Sequence, residues 1–136
     1  FGVLRGLHYQ LPPNAQTKLV RVTQGAILDV VVDIREGSPT FGQHVTTELS
    51  AENNNQLLIP RGFAHGFVVL SKEAIFAYKV DNYYSPECDR GIAFDDPALK
   101  IDWKLDSDQV KLSAKDVKQP KLIEAEYFNY HINLYK

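Results

Sequence analysis

The sequence predicts an all-β fold in which short antiparallel strands form a sandwich or a barrel. Three observations support this prediction: β-branched and aromatic runs recur between residues 18 and 80, turn residues separate them, and only one stretch near the C-terminus has helical spacing. Short strands separated by turns in this way favour an antiparallel architecture over a parallel sheet with crossover helices.

The first predicted strands are Lys18–Val22 and Ala26–Ile34, with a turn at Gln24-Gly25 between them. The second strand is rich in Val and Ile, and only Asp29 and Asp33 interrupt its apolar character. Side chains alternate between the two faces of a strand, so these two carboxylates point to the same face.

Turn and loop residues separate the later predicted strands. These strands are His44–Leu49, Gln56–Pro60, Gly66–Leu70 and Ala74–Val80. The one helical prediction lies near the C-terminus, where Pro120 fits a first turn and the residues from Leu122 to Phe128 give an incomplete apolar face. We therefore expect a β-fold with a short C-terminal helical segment.

Length and composition limit the class of protein. The 136 residues suit one domain, 1–136, and the net charge of −2 argues against a broad basic surface for nucleic acid or membrane lipid. A single cysteine, Cys88, cannot form an intrachain disulfide or a site with several thiolate ligands, which favours a cytoplasmic protein. No apolar run has the length of a membrane span. The chain opens on Phe1 without an initiator Met, so we expect the domain to be incomplete at its N-terminus.

Two histidines stand in strings that suit chemistry. His8 follows Arg5-Gly6-Leu7, and a histidine can serve as a general base near neutral pH, although a surface or packing role is the alternative. His65 ends a Pro-x-Gly-x-x-His string that resembles the second motif of the cupin superfamily. The His-x-His partner motif of metal cupins is absent, because Tyr9-Gln10 follows His8. We therefore expect a cupin-like barrel without a metal.

Three further side chains are candidates for the site, and two of them, Tyr78 and Asp116, have an alternative structural role. Tyr78 lies on a predicted strand and is either a core residue or an acid. Tyr84 precedes Ser85-Pro86, where its ring could stack on a flat ligand. Asp116, in Ser113-Ala114-Lys115-Asp116, is either a helix cap or a carboxylate that orients His8.

Seven strings together resemble the dTDP-4-dehydrorhamnose 3,5-epimerase family, between about Val3 and Pro120. They are Val3–His8, Lys18–Val22, Val32–Arg35, Ser38–Gly42, Gly62–Phe67, Tyr83–Pro86 and Ser113–Asp116. The resemblance implies a metal-free, cofactor-free jelly-roll homodimer that acts on a dTDP-4-keto-6-deoxy sugar.

The resemblance also implies residue roles. His8 matches the general base, Asp116 its partner and Tyr78 the general acid. The matched substrate-binding residues are Arg5, Lys18 and His65 around the sugar and diphosphate, Tyr84 on thymine, and Asp89 and Lys115 at the nucleotide. Family members usually carry Glu where this chain has Asp89, and many carry Glu at Arg61, to which we assign no role. Members also have a preceding segment that crosses to the partner subunit.

The implied reaction inverts C3 and C5 of dTDP-4-dehydro-6-deoxy-D-glucose, which yields dTDP-4-dehydro-L-rhamnose. The C4 ketone acidifies both positions, so that a base, an acid and an oxyanion donor suffice without a cofactor. Alternatives within this fold are a mono-epimerase or a 3,4-ketoisomerase of a related sugar. A non-catalytic sugar-binding cupin is a third alternative, which the His8, Tyr78 and Asp116 set argues against.

Overall fold

The computed structural model describes residues 1–136, which form ten strands and no α-helix. The strands are β1 (Leu4–Gln10), β2 (Lys18–Gln24), β3 (Ala26–Asp33), β4 (Arg35–Glu36), β5 (His44–Ser50), β6 (Gln56–Ile59), β7 (Phe63–Val69), β8 (Ile75–Val80), β9 (Asp89–Gly91) and β10 (Phe128–Asn129). Three 3₁₀ turns follow β9, at Ser107–Gln109, Asp116–Lys118 and Leu122–Glu124. Helical segments this short cannot cross a membrane.

Two antiparallel sheets make up most of the fold. One has five strands in the order β5-β3-β7-β1-β9, and the other has three in the order β6-β2-β8. A short parallel pair, β4 and β10, ties the C-terminal region to the end of β3. The predicted antiparallel all-β class is confirmed.

Strand β3 separates two apolar clusters, since its successive side chains point to opposite faces. Ile27 and Val31 pack with residues of β2 and β6, between the two sheets. Leu28, Val30 and Val32 pack on the other face, in a cluster that is completed by Trp103, Leu122 and Phe128 from the C-terminal third of the chain. The five-stranded sheet is therefore covered on both faces. The space between the two sheets contains the cluster with Ile27 and Val31 and also one cavity.

The two acidic residues of β3 are both buried, and both have hydrogen-bonding partners. Asp33 Oδ2 accepts hydrogen bonds from Ser38 Oγ at 2.7 Å, Thr40 Oγ1 at 2.6 Å and Arg35 Nη2 at 2.8 Å. These donors offset the effect of burial and hold the pKa of Asp33 well below its usual range. Asp33 thus organises the turn after β4, whereas Asp29 belongs to the cavity described below.

The structure differs from the sequence predictions at both ends of the chain. β1 and β9 form ladders in the main sheet that local patterning did not predict. The expected C-terminal helix contains only the Leu122–Glu124 turn, after which the chain is extended. The reason is tertiary: Phe128 is buried in the core, and its N–H donates to Ile34 O at 3.0 Å.

Candidate active site

A cavity of about 520 Å³ lies between the two sheets, with walls from β1, β7 and β9 on one side and β2 and β8 on the other. Alternation along β7 turns His65 and Phe67 into this space, while Ala64 and Val68 face the opposite core. Eight of the nine site residues predicted from the sequence line the cavity, namely Arg5, His8, Lys18, His65, Tyr78, Tyr84, Asp89 and Lys115.

The ninth residue, Asp116, lies behind His8 and contacts it. His8 Nε2 hydrogen-bonds to Asp116 Oδ1, although the two residues are 108 positions apart in the sequence. Asp116 is almost fully buried, and its Oδ2 accepts the Gly6 N–H at 3.3 Å. Asp116 begins a 3₁₀ turn but does not cap it with its side chain. Its carboxylate instead contacts Gly6 and His8 of β1.

An irregularity in β1 determines where His8 points. Arg5 pairs with Phe67, but His8 pairs with His65, so β1 contains one residue more than the regular register allows. Gly6 adopts φ +137°, and a Cβ there would lie 2.5 Å from Gly66 Cα. Only glycine fits this close approach of β1 and β7.

The environment of His8 favours the neutral ring. Burial lowers the pKa of His8, and the hydrogen bond and negative charge of Asp116 oppose this effect only in part. With Nε2 donating to Asp116, the neutral ring keeps Nδ1 as its acceptor. A neutral imidazole next to a buried carboxylate can accept a proton, because the carboxylate stabilises the imidazolium that results.

A second His–Asp pair, which sequence reasoning missed, forms part of the same site. His65 Nε2 lies 2.6 Å from Asp29 Oδ1, and both side chains are buried. Lys18 is close by: burial lowers its pKa, while the charge of Asp29 acts in the opposite direction. One feature of the sequence could have indicated this pair: Asp29 is a carboxylate in an otherwise apolar strand, and a buried Asp requires a hydrogen-bonding partner.

The cavity lining also includes a cation and an exposed ring, Lys115 and Tyr84. Lys115 Nζ donates to Asp89, which raises the pKa of Lys115 despite its partial burial. Tyr84 is 66% exposed. Its loop is held by Gln10, which donates from Nε2 to Tyr83 O at 3.1 Å and accepts the Ser85 N–H through Oε1 at 2.9 Å. A flat, solvent-facing ring beside a lysine suits a nucleotide.

Aromatic side chains that the sequence analysis did not assign form the middle of the wall. The ring centroids of Phe67 and Phe76 are 4.6 Å apart, and Tyr78 continues the row at 6.0 Å from Phe76. Tyr78 lies on β8, in the sheet opposite His8. The cavity therefore combines an imidazole, a phenol and a half-buried ammonium, which are groups that can move a proton next to a ketone.

Comparison with known proteins agrees with this chemistry. The family model for dTDP-4-dehydrorhamnose 3,5-epimerase matches residues 1–124. The chain belongs to this epimerase family. The dTDP-4-dehydrorhamnose 3,5-epimerase of Shigella flexneri is 55% identical over 127 residues, which are 93% of this chain and 69% of that protein. The enzyme of the same name from Sinorhizobium fredii is 54% identical over 123 residues, which are 90% of this chain and 63% of that protein.

A solved structure of a relative has the same fold as the present chain. The epimerase of Legionella pneumophila, crystallised with dTDP-4-keto-L-rhamnose, matches with a TM-score of 0.91 and 52% identity, over 96% of this chain and 70% of that one. The chain thus spans about two thirds of the length of its relatives. The predicted family, fold class and class of enzyme, an isomerase of a dTDP-linked 4-keto sugar, are confirmed.

Proposed function

We propose that His8 and Tyr78 of this chain carry out the inversion of C3 and C5 of dTDP-4-dehydro-6-deoxy-D-glucose, with dTDP-4-dehydro-L-rhamnose as product and no cofactor. The observation that carries the proposal is the buried His8–Asp116 contact in a cavity that Tyr78 also lines, from the facing sheet. An epimerisation needs this separation, because the proton leaves one face of the sugar and returns on the other.

In the proposed mechanism, neutral His8 removes the proton from C3 or C5, and the electron pair moves onto the C4 oxygen to form an enolate. Asp116 stabilises the protonated imidazole. Lys18 donates to the developing oxyanion, and it does so from a partly desolvated position in which charge stabilisation is strongest. Tyr78 then delivers its phenol proton to the opposite face of the same carbon, and the ketone is restored. Before the second inversion the His8 imidazolium releases its proton to water and the Tyr78 phenolate takes one up from water.

The remaining site residues are proposed to bind the substrate. Tyr84 stacks on thymine, while Arg5 and Lys115 contact the diphosphate region and His65, oriented by Asp29, contacts the sugar. Asp89 acts in this scheme through Lys115, to which it is bound. The role assigned to Asp89 from the sequence thus becomes orientation of a nucleotide-binding cation.

The decisive experiment is incubation of the protein with dTDP-4-dehydro-6-deoxy-D-glucose in D₂O, followed by NMR of the sugar. We expect deuterium at both C3 and C5, with inversion at both centres. Deuterium at one carbon only would indicate a mono-epimerase, and a carbonyl moved to C3 would indicate a 3,4-ketoisomerase.

His8→Ala provides the matching residue test. It should lower exchange at both carbons by about 10² to 10⁴, the usual contribution of a general base. His44→Ala is the control, since His44 lies on the edge strand β5 and does not line the cavity. Retention of more than roughly a tenth of the activity in His8→Ala would remove His8 from this role.

We also propose that the protein is a cytoplasmic homodimer. The edge strand β8 supports the dimer, because it has no partner on its outer side and carries the exposed Ile75, which does not line the cavity. The single cysteine supports the location. Sedimentation equilibrium of the purified protein should give twice the mass of one chain, and a monomer would contradict the dimer.

A further inference from the structure

The C-terminal tail, residues 128–136, returns to the end of the β2–β8 pair that borders the cavity. Its start is anchored by the parallel pairing of β10 with β4 and by the buried ring of Phe128. The backbone N–H of Tyr130 donates a hydrogen bond to Glu36 O at 3.0 Å. These contacts hold the tail on the body of the protein and direct its last residues towards Arg61.

Arg61 joins the tail to β8. Its Nη1 donates to Leu134 O at 2.7 Å, and its Cζ lies 4.8 Å from the centre of the Tyr135 ring. Its Nη2 donates to Asp81 Oδ2 at 3.2 Å. The Arg61 side chain is 15% exposed and that of Asp81 40%, so only the cation side of this ion pair is shielded from water.

The Tyr135 hydroxyl makes two further contacts in the same place. It accepts the Arg61 N–H at 3.0 Å and shares a hydrogen bond of 2.7 Å with Thr17 Oγ1. Thr17 N–H in turn donates to Asp81 Oδ1 at 2.8 Å. We call Arg61, Tyr135, Thr17 and Asp81 the Arg61 cluster.

Two members of the Arg61 cluster lie one residue from the cavity lining, Thr17 just before β2 and Asp81 just after β8. Thr17 lies between Gln16 and Lys18, which both line the cavity, and Asp81 follows Val80, which also lines it. On the other side of Asp81, the Asn82 carbonyl accepts from Gln16 Nε2 at 2.8 Å.

Asn82 also connects the cluster to the stacking loop. Its Nδ2 donates to Pro13 O at 3.2 Å, and its Oδ1 accepts the Tyr83 N–H at 2.9 Å. The chain then continues directly into Tyr84. A displacement of Asp81 would therefore be transmitted to the ring proposed to stack on thymine.

We propose that Arg61 and Tyr135 are positioning residues, which hold the Asp81–Tyr84 segment in its binding geometry and so set the affinity for the nucleotide half of the substrate. This inference rests on the proposed function, since it takes Tyr84 as the nucleotide contact. It predicts that loss of the tail contacts weakens binding and leaves the chemical step unchanged.

Tyr135→Phe is the most conservative test, because it removes one oxygen and keeps the ring over Arg61. Arg61→Ala removes the side-chain contacts with Leu134 O, the Tyr135 ring and Asp81. Ile132→Ala is the control on the same tail, since the Ile132 side chain is exposed and outside the cluster. For each variant, KM and kcat for the dTDP-4-keto sugar, Kd for dTDP and the melting temperature would be measured.

We expect Tyr135→Phe to raise KM and the Kd for dTDP by about three-fold to ten-fold, because one or two hydrogen bonds are lost. The kcat should stay within about two-fold of the wild-type value. Arg61→Ala should have at least this effect, and Ile132→Ala none. A folded Tyr135→Phe variant with a lowered melting temperature but unchanged KM and Kd would show a structural role only and overturn the inference. A fall in kcat at constant KM would also overturn it.

Two further outcomes are distinguishable. If Arg61→Ala does not fold, Tyr135→Phe decides the question by itself. If the unaltered protein neither binds dTDP nor converts the sugar, the proposed function fails and this inference fails with it, whereas normal wild-type kinetics with unaffected variants contradict the inference alone.

Discussion

His8 and His65 lie directly opposite each other on neighbouring strands, and each contacts its own buried aspartate. Their exposure differs: the His8 side chain is 26% exposed and that of His65 only 8%. A base must reach the substrate carbon, so the accessible ring suits proton transfer, and the covered ring suits a fixed hydrogen bond to the sugar. The one-residue irregularity in β1 creates this pairing.

Asp116→Asn should change the pH profile of kcat/KM. Burial already holds the pKa of His8 below its usual value, and Asp116 partly raises it. Without that carboxylate the pKa falls further, so the acidic limb of the profile should move to lower pH. The maximal rate should fall too, because the imidazolium loses its partner. A limb that stays in place or moves to higher pH would contradict the coupling between the two residues.

Tyr78→Phe should separate exchange from inversion. His8 can still form the enolate, so deuterium from D₂O should enter the substrate. Delivery of a proton from the opposite face would be impaired, and inverted product should therefore fall more than exchange does. NMR of the sugar measures both signals in one sample. An equal loss of the two would indicate that Tyr78 binds the substrate and does not act as the acid.

Tyr84→Ala should raise KM by roughly ten-fold to a hundred-fold, since base–aromatic stacking contributes about 1–3 kcal/mol. kcat should change much less, because thymine is remote from the reacting carbons and binds alike in ground and transition states. Tyr83→Ala is a matched control: Tyr83 is 87% exposed, adjacent in sequence and outside the cavity lining. A drop in kcat at constant KM would show that Tyr84 acts at the sugar.

Activity should survive exhaustive chelation. The Nε2 atoms of the two cavity histidines already contact carboxylates, and the ketone needs only the donors described above to stabilise its enolate. No group of three or more His, Cys, Asp or Glu side chains is arranged to hold a metal ion. Turnover would be measured after EDTA treatment and gel filtration. Loss of activity in EDTA, restored by Zn²⁺ or Fe²⁺, would refute the metal-free mechanism.

The local pattern of the chain was enough to predict the class of fold and most central strands. β3 illustrates this: its Val and Ile content predicted a strand, and the spacing of Asp29 and Asp33 predicted a shared face. β1 was not predicted, because Arg5, Gly6 and His8 give it a polar and irregular appearance. Its place between β7 and β9 depends on partners more than 50 residues away.

Most candidate site residues also came from the sequence, through the strings that resemble the epimerase family. Asp29 did not, because a carboxylate in an apolar strand shows that a partner must exist without showing which one it is. Arg61 was left without a role because many family members carry Glu at this position, and local spacing offered no other assignment. Its contacts, Tyr135 and Asp81, lie 74 and 20 residues away in the sequence, and neither spacing has a periodicity that local reasoning could detect.

The sequence by itself determined the antiparallel all-β class, the positions of most central strands, and the family to which the chain belongs. These properties follow from side-chain alternation and from short strings, which act over a few residues. The tertiary structure decided which aspartate meets which histidine, that residues 125–129 are extended, and where the tail docks. Each of these outcomes depends on sheet order and on the register of one strand against another, and a shift of one residue in register would turn every side chain to the opposite face.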